Sequence, residues 1–367
     1  MEWRPGERNP AALIFVSADL VAGGTFLGYA QLLGLKKLLR RVFVDESHLT
    51  FTSSDWRPKL AHVREVRKLP CPIIMLTATL PVMLEGELEE AMAAQLSRYI
   101  RAATTRIRTR YIVHEIKRGT LVDEAIGICR RIKKSLGCRK GVIYSRSRVQ
   151  CEELARELSC AYYHAGAVDN EERLAAWLKY GGLIVATSAL GTGVDFPGIV
   201  FILHVDVPYG MIDFAQESGR AGRGGEDVDA VIVVEAGRVE RLAATMQSID
   251  EAVIGEFVTT KSCRRAIISE YLDGSRVECC ENLARCDRCG EGVTAIFRAH
   301  SQAACERQEF EVAMDELRDT HGCFECFVRS AASMEQRDWR HRADGYVFGE
   351  LGGTMSEKEV DGFWSKI

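Results

Sequence analysis

Through the first two-thirds of this chain, short apolar runs alternate with stretches of helical spacing. Ala12–Val16, Arg41–Val44 and Ile73–Leu76 read as buried strands, and so do Gly141–Tyr144, Leu183–Ala186, Phe201–His204 and Ala230–Val234. Between the later runs, Val149–Leu158, Asn170–Lys179 and Ile212–Arg220 carry the helical spacing. Apolar runs separated by helices predict parallel sheets covered on both faces, the α/β class.

Length and charge narrow this further. A chain of 367 residues at ~150 per domain predicts two to three domains. Hydrophobic content of 47% with 27% charged residues excludes wholesale disorder. No stretch reaches the ~18 uninterrupted apolar residues of a membrane span. The charge sum, 48 minus 52, is −4, so a polyanionic partner must be held by local clusters. The apolar stretch Ala11–Ala18 follows Arg4 and Arg8 but stops at Asp19, with no small-residue cleavage pattern. Thirteen cysteines, an odd count in a chain long enough to bury a core, predict a reduced intracellular setting with some of them on metal.

A seam separates the two sets of strands. From Ala91 to His114 there is no acidic residue, while Arg98, Arg101, Arg106, Arg108 and Arg110 fall there. This is either a solvated helix face with a linker or a basic hinge beside a phosphate backbone. After about residue 256 the composition shifts, and eight of the 13 cysteines lie between Cys263 and Cys326.

Four segments carry chemistry. Val42-Phe43-Val44-Asp45-Glu46-Ser47-His48 is an apolar run ending in two acids. At the carboxyl end of a parallel strand, an Asp can hold Mg²⁺ and a neighbouring Glu can orient water. Leu76-Thr77-Ala78-Thr79-Leu80-Pro81 is a hydroxyl-bearing turn closing another strand. Ala186-Thr187-Ser188-Ala189-Leu190-Gly191-Thr192-Gly193-Val194-Asp195 runs from a buried strand into a glycine-punctuated loop. Glycines there let amides approach a phosphate, and Asp195 can pair with an Arg or a ribose. Gln216-Glu217-Ser218-Gly219-Arg220-Ala221-Gly222-Arg223 places two guanidiniums three residues apart at a helix end.

Together these segments resemble superfamily 2 nucleic-acid helicases, and the RecQ-like DNA helicases in particular, closest to divergent fungal copies of which some are telomere-linked. Asp45-Glu46-Ser47-His48 looks like motif II, Thr77-Ala78-Thr79 like motif III, and the last two segments like motifs V and VI. Gly141-Val142-Ile143-Tyr144-Ser145-Arg146-Ser147 resembles motif IV, and Tyr163-His164-Ala165-Gly166 its downstream companion. Ser54-Asp55-Trp56-Arg57-Pro58 resembles the aromatic-rich loop of RecQ enzymes.

The resemblance implies two RecA-like lobes and a small helical zinc-binding subdomain, with ATP, Mg²⁺ and Zn²⁺ as cofactors. It implies an ATP-dependent 3′-to-5′ DNA helicase acting on single-stranded or forked DNA in the nucleus. Asp45 would hold Mg²⁺, Glu46 would orient the hydrolytic water, and Arg220 and Arg223 would meet the phosphoryl group. Gln216, Gly193 and Asp195 would lie on the nucleotide. Trp56, Arg57, Ser145, Arg146 and Thr187 would contact DNA, and Thr77 and Thr79 would link nucleotide state to the DNA groove. The implied boundaries are 1–105 for a partial first lobe, 106–255 for the second, 256–292 for zinc and 293–367 for a tail.

Cys263-Arg264-Arg265, Cys279-Cys280 and Cys286-Asp287-Arg288-Cys289 supply a thiolate set for a tetrahedral Zn²⁺. Cys263, Cys280, Cys286 and Cys289 are the expected ligands, with Cys279 competing for the place of Cys280. Cys305, His321, Cys323 and Cys326 could begin a second metal site.

One part is missing. No Gly-Lys dipeptide occurs in the chain, so the Gly-x-x-x-x-Gly-Lys-Ser/Thr loop that cradles nucleotide phosphates is absent. Only 44 residues precede Asp45, and the first lobe reads as truncated at its N-terminus. Three readings follow: a helicase by descent, a non-catalytic nucleic-acid-binding remnant, and a structural zinc protein.

Overall fold

The computed structural model describes residues 12–21, 24–52, 57–95, 97–191, 196–280, 282–290, 292, 297–300 and 302. The chain divides into two compact units, 1–126 with 138–293 and 127–137 with 294–367. In the second unit, the Arg131 guanidinium lies 5.7 Å from the centre of the Phe297 ring. No helix among the described residues is long and apolar enough to cross a membrane.

The first unit opens with α1 (Ala18–Val21), α2 (Thr25–Leu35), β1 (Val42–Val44) and α3 (Leu49–Thr52). A 3₁₀ stretch Pro58–Lys68, β2 (Ile73–Met75), a 3₁₀ turn Val82–Leu84 and α4 (Glu85–Ala91) follow. β1 and β2 pair in parallel, with Phe43 opposite Ile74. Strand side chains alternate between faces. Val42, Val44, Ile73 and Met75 accordingly pack on the core formed by Leu60, Val63, Leu84 and Leu88, while Phe43 is exposed. The expected strand Ala12–Val16 does not form. That apolar run has no neighbouring strand to take up its backbone groups, and Phe15 is 90% exposed.

A second sheet follows. Its order is β3 (Thr109–Ile116), β8 (Val228–Glu235), β7 (Ile199–Val205), β4 (Lys140–Ser145), β6 (Gly182–Ala186), β5 (Ala161–Tyr163), and all pairs are parallel. α5 (Leu121–Leu136), α6 (Arg148–Leu158), α7 (Asn170–Tyr180), α8 (Met211–Ser218) and α9 (Arg238–Ala243) supply the connections. β7 is buried at every residue, the pattern of a strand covered on both faces. The α/β class with parallel sheets is therefore the observed one. Strands β3 and β5 were not among the expected runs. β3 carries Arg110, whose guanidinium is forked onto Asp229 of β8 at 2.6 and 2.9 Å, so a charged residue sits in a strand by pairing with its register partner.

Helices α10 (Ile249–Thr259) and α11 (Arg264–Asp273) close the unit. α10 begins with a capping box made by Ser248 and Glu251. Asp250 in its first turn accepts the Ile212 N–H at 3.0 Å, capping the start of α8 as well. Beside it, burial first, then the charges of Glu217 and Asp250, push the Asp213 carboxyl up to about 7.

The Cys263–Gly290 segment covers the outer edge of β3. The amides of Ala284 and Asp287 donate to the carbonyls of Ile107 and Tyr111 at 2.8 and 3.1 Å. Arg265 fills the gap between them, donating to the carbonyls of Arg106, Thr109 and Ala284 at 2.6, 2.7 and 2.9 Å. An open edge is an aggregation hazard, and this segment removes it. Arg264 donates to Asp287 through two nitrogens and to the Phe257 carbonyl, tying the Cys286–Cys289 turn to α10.

Two outcomes follow. Arg265→Ala strips three carbonyls, that of Thr109 buried, of a donor that is itself buried and is expected to cost about 3 kcal/mol or more, read as the loss in urea-unfolding free energy. Asp213 binds a proton in the fold across the window from the ordinary carboxylate range to about 7, so its stabilising contribution is full at low pH and lost as pH rises. Asp213→Asn should therefore raise Tm above the wild type at pH 8, with the gain vanishing towards pH 4. An equal Tm difference at both pH values would refute this.

Candidate functional site

β1 ends at Val44, and the chain turns sharply through Asp45-Glu46. Glu46 holds a φ of +46°, a left-handed conformation rare outside glycine. Such strain persists only where the surroundings over-determine it. Here Ser47 supplies the anchor, its N–H and hydroxyl both donating to the Leu76 carbonyl at the end of β2, at 2.9 and 3.1 Å. Asp45 is exposed, and its Oδ1 accepts the Glu46 N–H at 3.0 Å. The Glu46 carboxyl is raised above the usual range by burial first and the Asp45 charge second, with the Arg220 charge pulling it back. Arg220 is thus near enough for its charge to act on Glu46. Its own exposure is 7%, while Arg223 is exposed on the following turn.

His48 has 0% exposure and joins three segments. Its Nδ1 lies 2.8 Å from Thr77 Oγ1, and its Nε2 lies 2.9 Å from Gln216 Nε2 of α8. The Gln216 amide nitrogen only donates, so His48 Nε2 accepts and Nδ1 carries the proton. Burial holds the imidazole neutral, pulling its pKa down to about 4. The same Gln216 nitrogen donates to Thr79 Oγ1 at 3.0 Å. Helix α8 therefore reaches the turn after β1 and the turn after β2 with one side chain.

The inner face of α8 is fixed by a second bond. Glu217 Oε2 lies 2.8 Å from His204 Nε2 on β7, both groups being buried. His204 stacks on Tyr144, its register partner on β4, with ring centres 5.1 Å apart. Gln216 and Glu217 are successive residues facing opposite ways, so one helix grips its own sheet and the N-terminal part together.

The sheet reverses its order of winding between β4 and β7, the place where open α/β sheets bind ligands beyond the strand ends. Arg146 stands there, exposed. Its guanidinium packs 4.1 Å from the centre of the Tyr209 ring and donates to the Val207 carbonyl at 3.4 Å. Ser145 does not face outward: it is 4% exposed, and its hydroxyl bonds Gln150 Oε1 at 2.8 Å and the Ser147 carbonyl at 3.2 Å. These bonds tie Ser145 into the turn that starts α6. Thr187 is half-buried, its Oγ1 accepting the Ala189 N–H at 3.5 Å. Arg57 is exposed at the start of the 3₁₀ stretch. Trp56, Gly193 and Asp195 lie outside the described residues, as do Cys305, His321, Cys323 and Cys326.

The cysteines form one cluster. The Sγ atoms of Cys263, Cys279, Cys286 and Cys289 all lie within 4.8 Å of one another. A tetrahedral ion with ~2.3 Å bonds to sulfur spaces its ligands about 3.8 Å apart, so the donor set and its size fit a metal. Amides already point at two of the sulfurs: Cys279 N–H at Cys263 Sγ and Cys286 N–H at Cys279 Sγ, both 3.4 Å. Such bonds suit thiolate ligands.

Cys279, not Cys280, occupies the fourth place, and Cys280 is exposed. Residues 277–280 alternate inward and outward, so Cys279 shares the inward side with Val277. That parity is written in Val277-Glu278-Cys279-Cys280 and could have been used to choose between the two cysteines.

The family described as Helicase conserved C-terminal domain matches residues 124–225. ATP-dependent helicase SGS1 of Saccharomyces cerevisiae is 27% identical over 287 residues, covering 70% of this chain and 19% of its own length. ATP-dependent DNA helicase Q5 of Mus musculus is 26% identical, covering 76% of this chain and 32% of itself. ATP-dependent DNA helicase RecQ of Haemophilus influenzae is 28% identical, covering 76% and 46%. The chain thus spans less than half the length of these relatives. Among solved structures, S. cerevisiae Dbp5 bound to RNA and ADP BeF3 matches at TM-score 0.47 and 14% identity, over 59% of this chain and 60% of that one. Residues 124–225 thus match the helicase conserved C-terminal domain, and over 70–76% of its length the chain is similar to RecQ-type DNA helicases.

Proposed function

We propose that this chain is the portion of a RecQ-type, 3′-to-5′ DNA helicase that couples an acid pair to a nucleic-acid surface. Its parts are a partial RecA-like lobe at 1–105, a second RecA-like lobe at 106–255, a zinc-binding module at 256–292 and a tail at 293–367. A nuclear setting goes with DNA as the partner. The observation that carries this reading is Gln216, whose amide reaches His48 and Thr79 from the helix that Arg220 follows two residues past its end.

Asp45 would hold Mg²⁺, which would neutralise charge on the phosphate oxygens of ATP. Glu46 orients the attacking water and accepts its proton. Arg220, buried opposite, stabilises the charge that develops on the transferred group, and Arg223 meets it from the exposed turn. Gly193 and Asp195 complete the nucleotide contacts on this reading. Thr77 and Thr79 sit between this centre and Gln216, so a change at the acid pair is felt as a change in their hydroxyl partners. Arg57 and Arg146 offer exposed cations to the phosphate backbone, with Trp56 beside Arg57 in sequence to stack on a base. Cys263, Cys279, Cys286 and Cys289 hold Zn²⁺.

A second reading, a non-catalytic nucleic-acid-binding protein, is favoured by one observation: no Gly-Lys dipeptide exists to cradle the β- and γ-phosphates. Two measurements separate the readings. ATP turnover by this chain with single-stranded DNA is expected to be negligible, because the phosphates lack the charge and donors of that loop. Turnover above roughly 1 s⁻¹ that disappears in Glu46→Gln would show a working motor. Binding of a single-stranded oligonucleotide, followed by fluorescence anisotropy, should weaken steeply with salt and weaken further in Arg146→Ala. Affinity insensitive to salt would remove the DNA reading altogether.

The metal assignment has its own outcome. One Zn²⁺ per chain is expected after dialysis, measured by elemental mass spectrometry. Cys279→Ser should lose it, whereas Cys280→Ser should retain it.

A further inference from the structure

Arg101 lies in the acid-free seam and takes no part in the chemistry above. It is 32% exposed in its side chain and bridges two segments far apart in sequence. One nitrogen, NH2, donates to the Leu80 carbonyl at 2.6 Å and to the Leu272 carbonyl at 2.8 Å. The other terminal nitrogen pairs with Glu85 Oε1 at 2.8 Å. Leu80 ends the turn that carries Thr77 and Thr79, and Leu272 is the penultimate residue of α11. A carbonyl in the last turn of a helix has no partner within the helix, and a cation there also suits the helix dipole.

Neighbouring contacts hold the same junction. Thr104 N–H donates to both carboxylate oxygens of Asp273, at 3.1 and 3.0 Å. Gly274, at φ +66°, brings the end of α11 so near the 3₁₀ turn Val82–Leu84 that an added Cβ would stand 3.2 Å from Val82. At its other end α11 starts directly after Cys263, a member of the thiol cluster, and its first two residues are the buried Arg264 and Arg265. Ten residues of helix span about 15 Å.

We propose that Arg101 is a positioning residue that locks the Thr77–Leu80 turn onto the C-terminal end of α11, so that this turn and the cysteine cluster move as one body. The turn is then gripped from two sides, by Gln216 at Thr79 and by Arg101 at Leu80. The lock needs no nucleotide hydrolysis, so it stands or falls independently of the helicase reading.

Amide hydrogen exchange on the full 367-residue chain tests it. Arg101→Ala should accelerate exchange across 73–84 and across 269–274 by roughly tenfold, leaving β7 at its wild-type rate. Arg101→Lys keeps one donor at the junction and should recover part of the protection in both segments. Glu85→Gln removes the ion pair but neither carbonyl bond, and should stay within about threefold of wild type. Stripping the metal with a chelator should accelerate 77–84 as well as the cysteine segment.

The proposal is overturned if Arg101→Ala leaves both segments at wild-type rates or accelerates only one of them. It is equally overturned if Glu85→Gln reproduces the full effect, or if chelation accelerates 279–290 alone. Should Arg101→Ala unfold the whole chain, Arg101→Lys decides: partial loss confined to the two segments supports the lock, and wild-type exchange in both sinks it.

Discussion

Arg264 and Arg265 are consecutive guanidinium groups with 0% and 2% exposure, and neither has water to fall back on. An uncompensated buried charge costs several kcal/mol, so each must find its partners inside the protein. Their partners are what assemble the second half of the unit. Arg264 requires Asp287 and the end of α10, which brings the Cys286–Cys289 turn onto the helix pair. Arg265 requires carbonyls on the edge of β3, which brings the same module onto the sheet. One dipeptide thus determines that the cysteines meet where β3 would otherwise stand open.

Helix α8 has the corresponding role on the other side. Two of its successive positions, Gln216 and Glu217, serve different partners, and Arg220 follows in the turn just past its end. Glu217 faces the sheet, Gln216 faces the turns after β1 and β2, and the Arg220 charge acts on Glu46. A helix presents successive residues about 100° apart, so the division between Gln216 and Glu217 needs no irregular backbone. The consequence is that the acid pair and the sheet cannot shift relative to one another without breaking a buried hydrogen bond.

In the second sheet, the strands that the sequence made legible are the ones buried on both faces. Phe201–His204 and Ala230–Val234 are apolar without interruption because β7 and β8 lie in the middle of a parallel sheet. β3 escaped because an edge strand tolerates Arg110 and Arg108 near its start, and its hydrophobic signal is diluted accordingly. Ala12–Val16 misled for the opposite reason, since an apolar run becomes a strand only if another strand is there to bond it. In the site, Asp45-Glu46 was legible only in company, because a strand ending in Asp-Glu is often a plain polar loop start and its weight came from Thr77-Ala78-Thr79 and the later segments. His48 was not legible as a joint, because its role depends on a tautomer set by Thr77 and Gln216, residues 29 and 168 positions away. The internal bonds of Ser145 were not legible either, because a hydroxyl beside an arginine looks the same in sequence whether it faces outward or caps its own turn.

The groups that join the two halves of the site are mostly uncharged: an imidazole, an amide and two hydroxyls. Charge lies around them, on Asp45, Glu46, Arg220 and Arg223. This separation has a physical logic. Neutral hydrogen bonds offer no cation for a phosphate to capture, whereas a salt bridge at the same place would compete with any phosphate for its cation. Glu46, strained and with one oxygen buried without a hydrogen bond, is then held by Ser47 and His48 rather than by an ionic partner. Its carboxylate stays available to water, while the geometry that presents it is fixed by residues that do no chemistry.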